Sequence, residues 1–377
     1  MAGPRVSVVM VTADPHAPYI GEAVDSVLRQ SFDEWELIIV DDGPAGAVTE
    51  IVGRFNDSRI RYLRQVHAGV NKLGATYNRA LLLTKAPLIA LLEGDDYWPA
   101  DKLEIQIPAL EQENAVLSYG IVKVVSSNGS PQHRQAPWPE VEKDRGALEN
   151  NPVGRTAIAM ARHWQYVSPA SIVVRRSALE SIGGFQQPSY YPAVDFPTVL
   201  KLATIGPFHY LPSVLGFGRR HHTSVTASVV SGKTYLLGMF RCWLETMQAS
   251  NIRLSRRDLE PVVAHWQAGF AGHYRVMGRI SLEQRDAEKA RAYFLASLRG
   301  STGAGSMAAL GGALFSYLPQ GARLLEACYK LLLRQSSNKS DLEAAYHEAA
   351  EIISSFEAWT EALESLCSDN GNHACPA

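Results

Sequence analysis

Three short apolar runs, each closed by acids or turn formers, with helical patterns and one shorter strand between them, constrain this chain more than any other feature. Val6–Val11 is β-rich and ends in the turn-prone stretch Thr12–Pro18. Ile20–Gln30 then spaces Ile20, Ala23, Val24, Val27 and Leu28 along one helical face. Glu36–Val40 reads as a second buried strand, stopped by Asp41-Asp42-Gly43-Pro44. Val48–Phe55 is helical, Ile60–Leu63 is a third strand, Gly74–Thr84 is helical and Leu88–Leu92 is a fourth strand. Strand–helix alternation of this kind builds a mostly parallel α/β sheet with helices on both faces, a Rossmann-like arrangement. Ligands of such sheets sit outside the carboxyl ends of the strands. Asp14, Asp41, Asp42, Glu93, Asp95 and Asp96 all fall just after strands. The pattern therefore predicts that these acids share one edge.

From about Val116 to His222 the pattern is mixed. Short strands such as Leu117–Val125 and Ala170–Val174 alternate with loops, and Asn128–Pro139 reads as a surface excursion. Residues 233–298 and 321–366 read as amphipathic helices. Within them Ala287, Ala290, Phe294 and Leu298 form one stripe, similar to the second helix of a tetratricopeptide-like hairpin. Ser301–Gly312 is rich in small residues and reads as a linker, and the tail from Ser368 is expected to fray. The expected domains are 1–230, with a nucleotide-binding half (1–115) and an acceptor half (116–230), and a helical region over 231–377.

The formal net charge of -2 argues against nucleic acid as a partner. Cys242, Cys328, Cys367 and Cys375 make no close pair and read as free thiols, without a zinc site or disulfide framework. Val6–Val11 is too short for a signal-peptide core, and no later run approaches a membrane span. The expectation is a soluble, cytoplasmic chain that can rest on a membrane surface.

Val6–Thr12, Ala23–Phe32 and Trp35–Gly43 together resemble the opening of the family 2 glycosyltransferases, which have the GT-A fold. Asn71–Ala80 resembles that family's Gly-x-x-x-x-Asn helix, and Leu91-Leu-Glu-Gly-Asp-Asp-Tyr-Trp-Pro-Ala-Asp-Lys-Leu103 its acidic metal motif. Val167–Phe185 resembles its strand, helix and Gly-Gly-Phe turn, and Leu215–Thr226 its Tyr-Arg-x-His stretch. The resemblance covers roughly residues 5–230.

It implies an inverting transfer from a nucleoside diphosphate sugar, UDP-sugar favoured, assisted by Mg²⁺ or Mn²⁺. Asp95 stands at the family's last metal-binding aspartate, and His221, or His222 by a register shift, at its histidine. Glu93 replaces the usual first aspartate and is implied to meet the donor ribose or metal-bound water, with Asp96 supporting the loop or the donor sugar. Asp41 is implied to contact the base. Thr12, Asp14, Asn78, Arg79, Arg219 and Arg220 are implied donor contacts. Asp195 is the implied general base, because the attacking hydroxyl must lose a proton.

Plainer readings stand beside these. Glu93–Asp96 also reads as a solvated turn, Asp41-Asp42-Gly43 as an Asx-turn, Asp195 as a helix cap and Arg219–His222 as a basic surface turn. The departures at Glu93, Val194 and Gly218 leave open a non-catalytic scaffold of the same fold. A sugar nucleotidyltransferase is disfavoured, since no glycine occurs between Thr12 and Gly21. The acceptor stays open among saccharide, lipid-linked carrier, peptide and small metabolite, and the helical region among self-association, partner and membrane roles.

Overall fold

A computed structural model describes residues 3–224, 233–298, 304–318, 349–355 and 358. It divides into two compact units, Met1–Ile252 and Arg253–Ala377.

The first unit is built on an eight-stranded sheet. Its strands are β1 (Val6–Thr12), β2 (Trp35–Asp41), β3 (Ile60–Arg64), β4 (Leu88–Leu91), β5 (Leu117–Ser126), β6 (Pro131–Ala136), β7 (Val173–Arg175) and β8 (Phe208–Arg220). They run in the order β3-β2-β1-β4-β7-β5-β6, with β8 beside β5. The β3-β2-β1-β4 half is wholly parallel, while β7 pairs antiparallel to both β4 and β5. Every residue of β1, β2 and β4 is buried, as expected of strands covered on both faces. Helices α1 (Ile20–Leu28), α2 (Thr49–Val52), α3 (Leu73–Leu83) and α4 (Lys102–Gln112) connect or follow these strands.

The apolar patterning explains the packing. Ile20, Ala23, Val24 and Val27 of α1 sit in one core with Val8, Met10, Leu37, Ile39, Leu92, Trp98 and Leu103. From β1 the chain winds outward to β2 and β3, then returns to lay β4 on the other side of β1. The carboxyl ends of β1 and β4 thus form the switch point at which open α/β sheets bind ligands. Register places Thr12 beside Asp41, and Asp41 beside Arg64, along that edge.

Three expectations need correction. Residues 131–136, assigned to a surface excursion, form β6 on the outer edge of β5, where a run of polar residues tolerates exposure. The 13-residue β8 escaped the sequence pattern because Pro212, Gly216 and Gly218 interrupt its apolar run. The first unit also extends beyond residue 230. The helix Lys233–Ala249 belongs to it, with Phe240, Trp243 and Met247 fully buried and Trp243 Nε1 donating to the Ala157 carbonyl at 2.9 Å.

In the second unit the described helices include Arg256–Gly269, Ala271–Glu283, Ala287–Leu298 and Ala304–Phe315, and residues 349–355 are also helical. The presumed linker Ser301–Gly312 is therefore largely helical. Gly312, together with Gly278 of the helix Ala271–Glu283, makes room for the buried Phe294 ring: a methyl group on Gly278 would come within 2.8 Å of that ring, and one on Gly312 within 2.5 Å. The helical expectation for 321–366 and the fraying tail lie mostly or wholly outside the described residues, as do Cys328, Cys367 and Cys375. Cys242 is buried and free. Among the described residues no helix is long and apolar enough to cross a membrane.

Candidate active site

The chain leaves β4 through a tight turn, with the Asp96 N–H donating to the Glu93 carbonyl at 3.1 Å. Only a glycine fits at position 94, since a Cβ there would lie 2.6 Å from Thr12 Oγ1 and 2.9 Å from His16 Nδ1. Beyond the turn, buried Trp98 anchors the chain by donating Nε1 to the Ala170 carbonyl at 2.8 Å. The turn thereby aims Glu93, Asp95 and Asp96 at one point, where one oxygen from each lies within 4.8 Å of the others.

Crowding three carboxylates in a buried place is unfavourable without a compensating cation. Burial, then the charges of Asp95 and Asp195, push the Glu93 carboxyl up to about 8, while the Tyr77 hydroxyl at 3.4 Å and Arg220 oppose the rise. Burial, then the charges of Asp95 and Glu93, push Asp96 well above the usual range, although it accepts the Arg219 N–H at 2.8 Å. Asp95 goes the other way. Burial would raise it, but the His221 hydrogen bond and the two nearby imidazoles outweigh burial. Oxygen donors so arranged fit a hard divalent cation such as Mg²⁺ or Mn²⁺.

β8 ends against this turn. His221 lies within hydrogen-bonding distance of Asp95 Oδ2 through Nε2 (2.9 Å) and of Thr223 Oγ1 through Nδ1 (2.9 Å), and its ring tilts on Tyr19 at 4.8 Å. His222 is exposed. The implied diphosphate contact at Arg219 is not what the side chain does. Arg219 is buried, donates to the Asp95 carbonyl at 2.9 Å and the Ser127 carbonyl at 3.0 Å, pairs with Glu22 and sits 4.7 Å over the Tyr19 ring. It clamps β8 to α1. Arg220 is exposed, and its charge acts on Glu93, Asp96 and Asp195 together.

Asp195 opens the helix Asp195–Ala203 and is half-buried. Its pKa is raised, chiefly by burial, against the opposing Phe196 N–H and Arg220. Val194, not Asp195, is the N-cap residue. Tyr77, Tyr191 and Tyr235 all sense the Asp195 charge, so this carboxylate shares the neighbourhood of Glu93.

At the other end of the edge the implied donor contacts turn inward. Asp14 accepts the N–H groups of Ala45 (2.7 Å) and Ala47 (2.9 Å), one on each oxygen. Burial works against the Asp14 charge, yet these donors and that of Gly46 hold its pKa below the usual value. Asp41 is fully buried, accepting the Gly43 N–H at 2.8 Å and the Tyr62 hydroxyl at 2.6 Å, which is the Asx-turn geometry. Asp42 accepts from Ala68, Gly69 and Gln65 at 2.7–2.9 Å. Asn78 spends both ends of its amide on the Phe185 backbone, at 2.8 and 2.9 Å, so it braces the Gly-Gly-Phe turn and does not face a donor. Arg79 is exposed and donates to Gln65 at 3.2 Å. Thr12 is buried at the β1 exit with its hydroxyl 3.3 Å from His16 Nδ1. Beside these turns lies an open cavity of about 510 Å³ lined by Gly43, Pro44, Arg64, Gln65, Val66 and His67.

Sequence reasoning missed His16, Tyr77 and Tyr235. His16 Nε2 lies 3.9 Å from Asp95 Oδ1. Its one sequence signal is that it follows Thr12 by four residues in the same strand-exit loop.

A twisted α/β sheet with an acidic turn at its switch point is the GT-A architecture of glycosyltransferases. The S. aureus TarS fragment 1–349 in complex with UDP-GlcNAc shares the fold, with a TM-score of 0.51 at 15% identity over 97% of this chain and 93% of that one. The sequence model of glycosyl transferase family 2 matches residues 7–183. An E. coli UDP-Glc:α-D-GlcNAc-diphosphoundecaprenol β-1,3-glucosyltransferase, WfgD, is 34% identical over 109 residues, which are 29% of this chain and 42% of that protein. TuaG of Bacillus subtilis, a glycosyltransferase named for teichuronic acid biosynthesis, is 28% identical over 207 residues, 54% of this chain and 73% of that one. Residues 7–183, within the first unit, carry a glycosyltransferase family 2 domain.

Proposed function

We propose that the first unit transfers a sugar from a UDP-sugar to an acceptor hydroxyl with inversion, using Asp195 as general base. The observation that carries this reading is the convergence of Glu93, Asp95 and Asp96 with Asp195 and Arg220 in one electrostatic neighbourhood. Asp95 holds Mg²⁺ or Mn²⁺ with help from its two acidic neighbours. A cation bound there supplies Lewis-acid neutralisation of the charge that builds on the leaving diphosphate.

The rest falls to the chain's own groups. Asp195 takes the acceptor's proton as that oxygen bonds to the anomeric carbon, and the bond from that carbon to the phosphate oxygen breaks with its electron pair leaving on the diphosphate. The raised pKa of Asp195 makes it a stronger base than a free carboxylate. Arg220, exposed and facing the carboxylates, is the diphosphate contact in place of Arg219. With Asp14 occupied by backbone N–H groups and Asp41 by the Gly43 N–H and the Tyr62 hydroxyl, the open cavity at Gly43–His67 is the seat for the nucleoside. The E. coli relative acts on a lipid-linked sugar diphosphate. We extend an acceptor of that class, met at a membrane surface by a peripheral protein, to this chain.

A second reading, a binding subunit without turnover, draws on the inward commitment of Asp14, Asp41, Asn78 and Arg219. One measurement separates the two. In a thermal-shift series with UDP, GDP and dTDP, each with and without Mn²⁺, UDP with Mn²⁺ raises the melting temperature most. Absence of any stabilisation by all three nucleotides would reject the transferase reading.

A further inference from the structure

We propose that Arg219 is a positioning residue of the cation site: it fixes the acidic turn so that Asp95 and Asp96 meet one divalent ion. The proposal rests on the metal-assisted reading above. The resemblance made Arg219 a diphosphate contact. In the structure its main chain and its side chain both go to the turn instead. The Arg219 N–H donates to Asp96 Oδ1 at 2.8 Å. Its Nε donates to the Asp95 carbonyl at 2.9 Å. Two residues back on the same face of β8, Phe217 exchanges main-chain hydrogen bonds with Tyr97 at 2.9 and 3.2 Å and stacks on its ring at 4.7 Å. β8 therefore holds Asp95, Asp96 and Tyr97 in succession, and one residue, Arg219, touches both acids.

The turn needs such a hold. Three carboxylates with oxygens within 4.8 Å of one another repel, and an unrestrained turn would open to part them. Arg219 suits the task because it is itself fixed. Its side chain is 3% exposed and pairs with Glu22. The guanidinium lies 4.7 Å over the Tyr19 ring and 5.5 Å over the Tyr97 ring, and it donates to the Ser127 carbonyl at 3.0 Å. Tyr19 and Glu22 belong to the start of α1, and Ser127 to the turn between β5 and β6. One side chain thus ties the acidic turn to a helix and a hairpin of the same unit. A guanidinium offers five N–H groups in a planar fork, which suits several partners in different directions. An ammonium carries the same charge without the fork. The nucleoside seat is formed by other residues, at the exits of β2 and β3. Loss of the fork should therefore act on the cation and spare the nucleoside.

The test uses the full chain, titrated with MnCl₂ in the presence of UDP. R219K keeps the charge and loses the fork. It should weaken Mn²⁺ binding by about tenfold or more in calorimetry, the scale expected when a metal ligand loses its supporting partner. Metal-free UDP affinity should stay within about twofold of wild type, because the two sites share no contact to Arg219. Turnover lost at limiting Mn²⁺ should return in excess Mn²⁺, which a general packing defect would not allow. E22Q removes one half-exposed partner and leaves Arg219 its carbonyls, so it should weaken Mn²⁺ binding by about threefold. E22Q also decides the matter should R219K fail to fold. Wild-type Mn²⁺ affinity in a folded R219K, or in E22Q where R219K does not fold, overturns the proposal. So does an R219K that loses UDP and Mn²⁺ affinity together, with turnover that no Mn²⁺ concentration recovers. These results leave a metal-dependent transferase standing. A wild-type protein that binds no Mn²⁺ with UDP overturns both readings.

Discussion

Two turns at the same sheet edge look alike in sequence and behave as opposites. Asp41-Asp42-Gly43 follows β2, and Glu93-Gly94-Asp95-Asp96 follows β4. In the first, every carboxylate is matched by donors: Gly43 and Tyr62 on Asp41, and Gln65, Ala68 and Gly69 on Asp42. In the second, three carboxylates face one another and the pKa values of Glu93 and Asp96 are driven upward. A satisfied acid shapes backbone, whereas a frustrated one is available for chemistry. Acidity after a strand is therefore a weak guide, and the supply of N–H and O–H groups around it is the stronger one.

The largest effect expected from this contrast is at Asp95. D95N should lower UDP-sugar turnover by about three orders of magnitude, the scale of losing charge stabilisation at a leaving group, with the melting temperature moved by no more than a few degrees. Turnover within tenfold of wild type would erase the distinction between the two turns.

Asp195 comes next. D195N should slow transfer by about 10²–10⁴-fold. Its folded pKa is raised above the ordinary 3.8, so the base is lost as pH falls through that raised value. The wild-type rate should accordingly fall on the acid side at a pH above the ordinary value for an aspartate, and D195N should lack that limb. A limb unchanged in D195N would move the base role to another group.

The smallest effect on chemistry is expected at Asp42. D42A strands the N–H groups of Ala68 and Gly69 and the Gln65 amide, and should cost about 2–3 kcal/mol in urea unfolding. Mn²⁺ affinity should stay within about twofold. Loss of cation binding in D42A would mean that the β2 turn takes part in the site after all.

Much of this was legible in the sequence. The first four strands, the helices between them and the shared edge of acids follow from periodicity and from turn residues at the strand exits. Asp95, Asp195 and Arg220, the residues the resemblance singled out, all act on the Glu93 carboxyl. What periodicity could not see was which polar atoms are already taken. Asp41, Asn78 and Arg219 carry the right chemistry at the right positions, yet each is consumed by a partner between 21 and 124 residues away. Arg219 and Arg220 are adjacent on β8, so their side chains take opposite faces: one is buried in a clamp and the other meets the site. No window of sequence separates them without knowing which face β8 buries. His16 was passed over for the same reason, because Asp95, its neighbour in space, lies far along the chain.

The Arg219–Glu22 pair spans 197 residues and the His221–Asp95 contact 126. Contacts of such separation pay the largest loop-closure cost and reward the chain last. The acidic turn can thus be folded on its sheet well before its partners arrive. During synthesis, catalytic competence should emerge abruptly when β8 seats beside β5, rather than growing with the length of chain made.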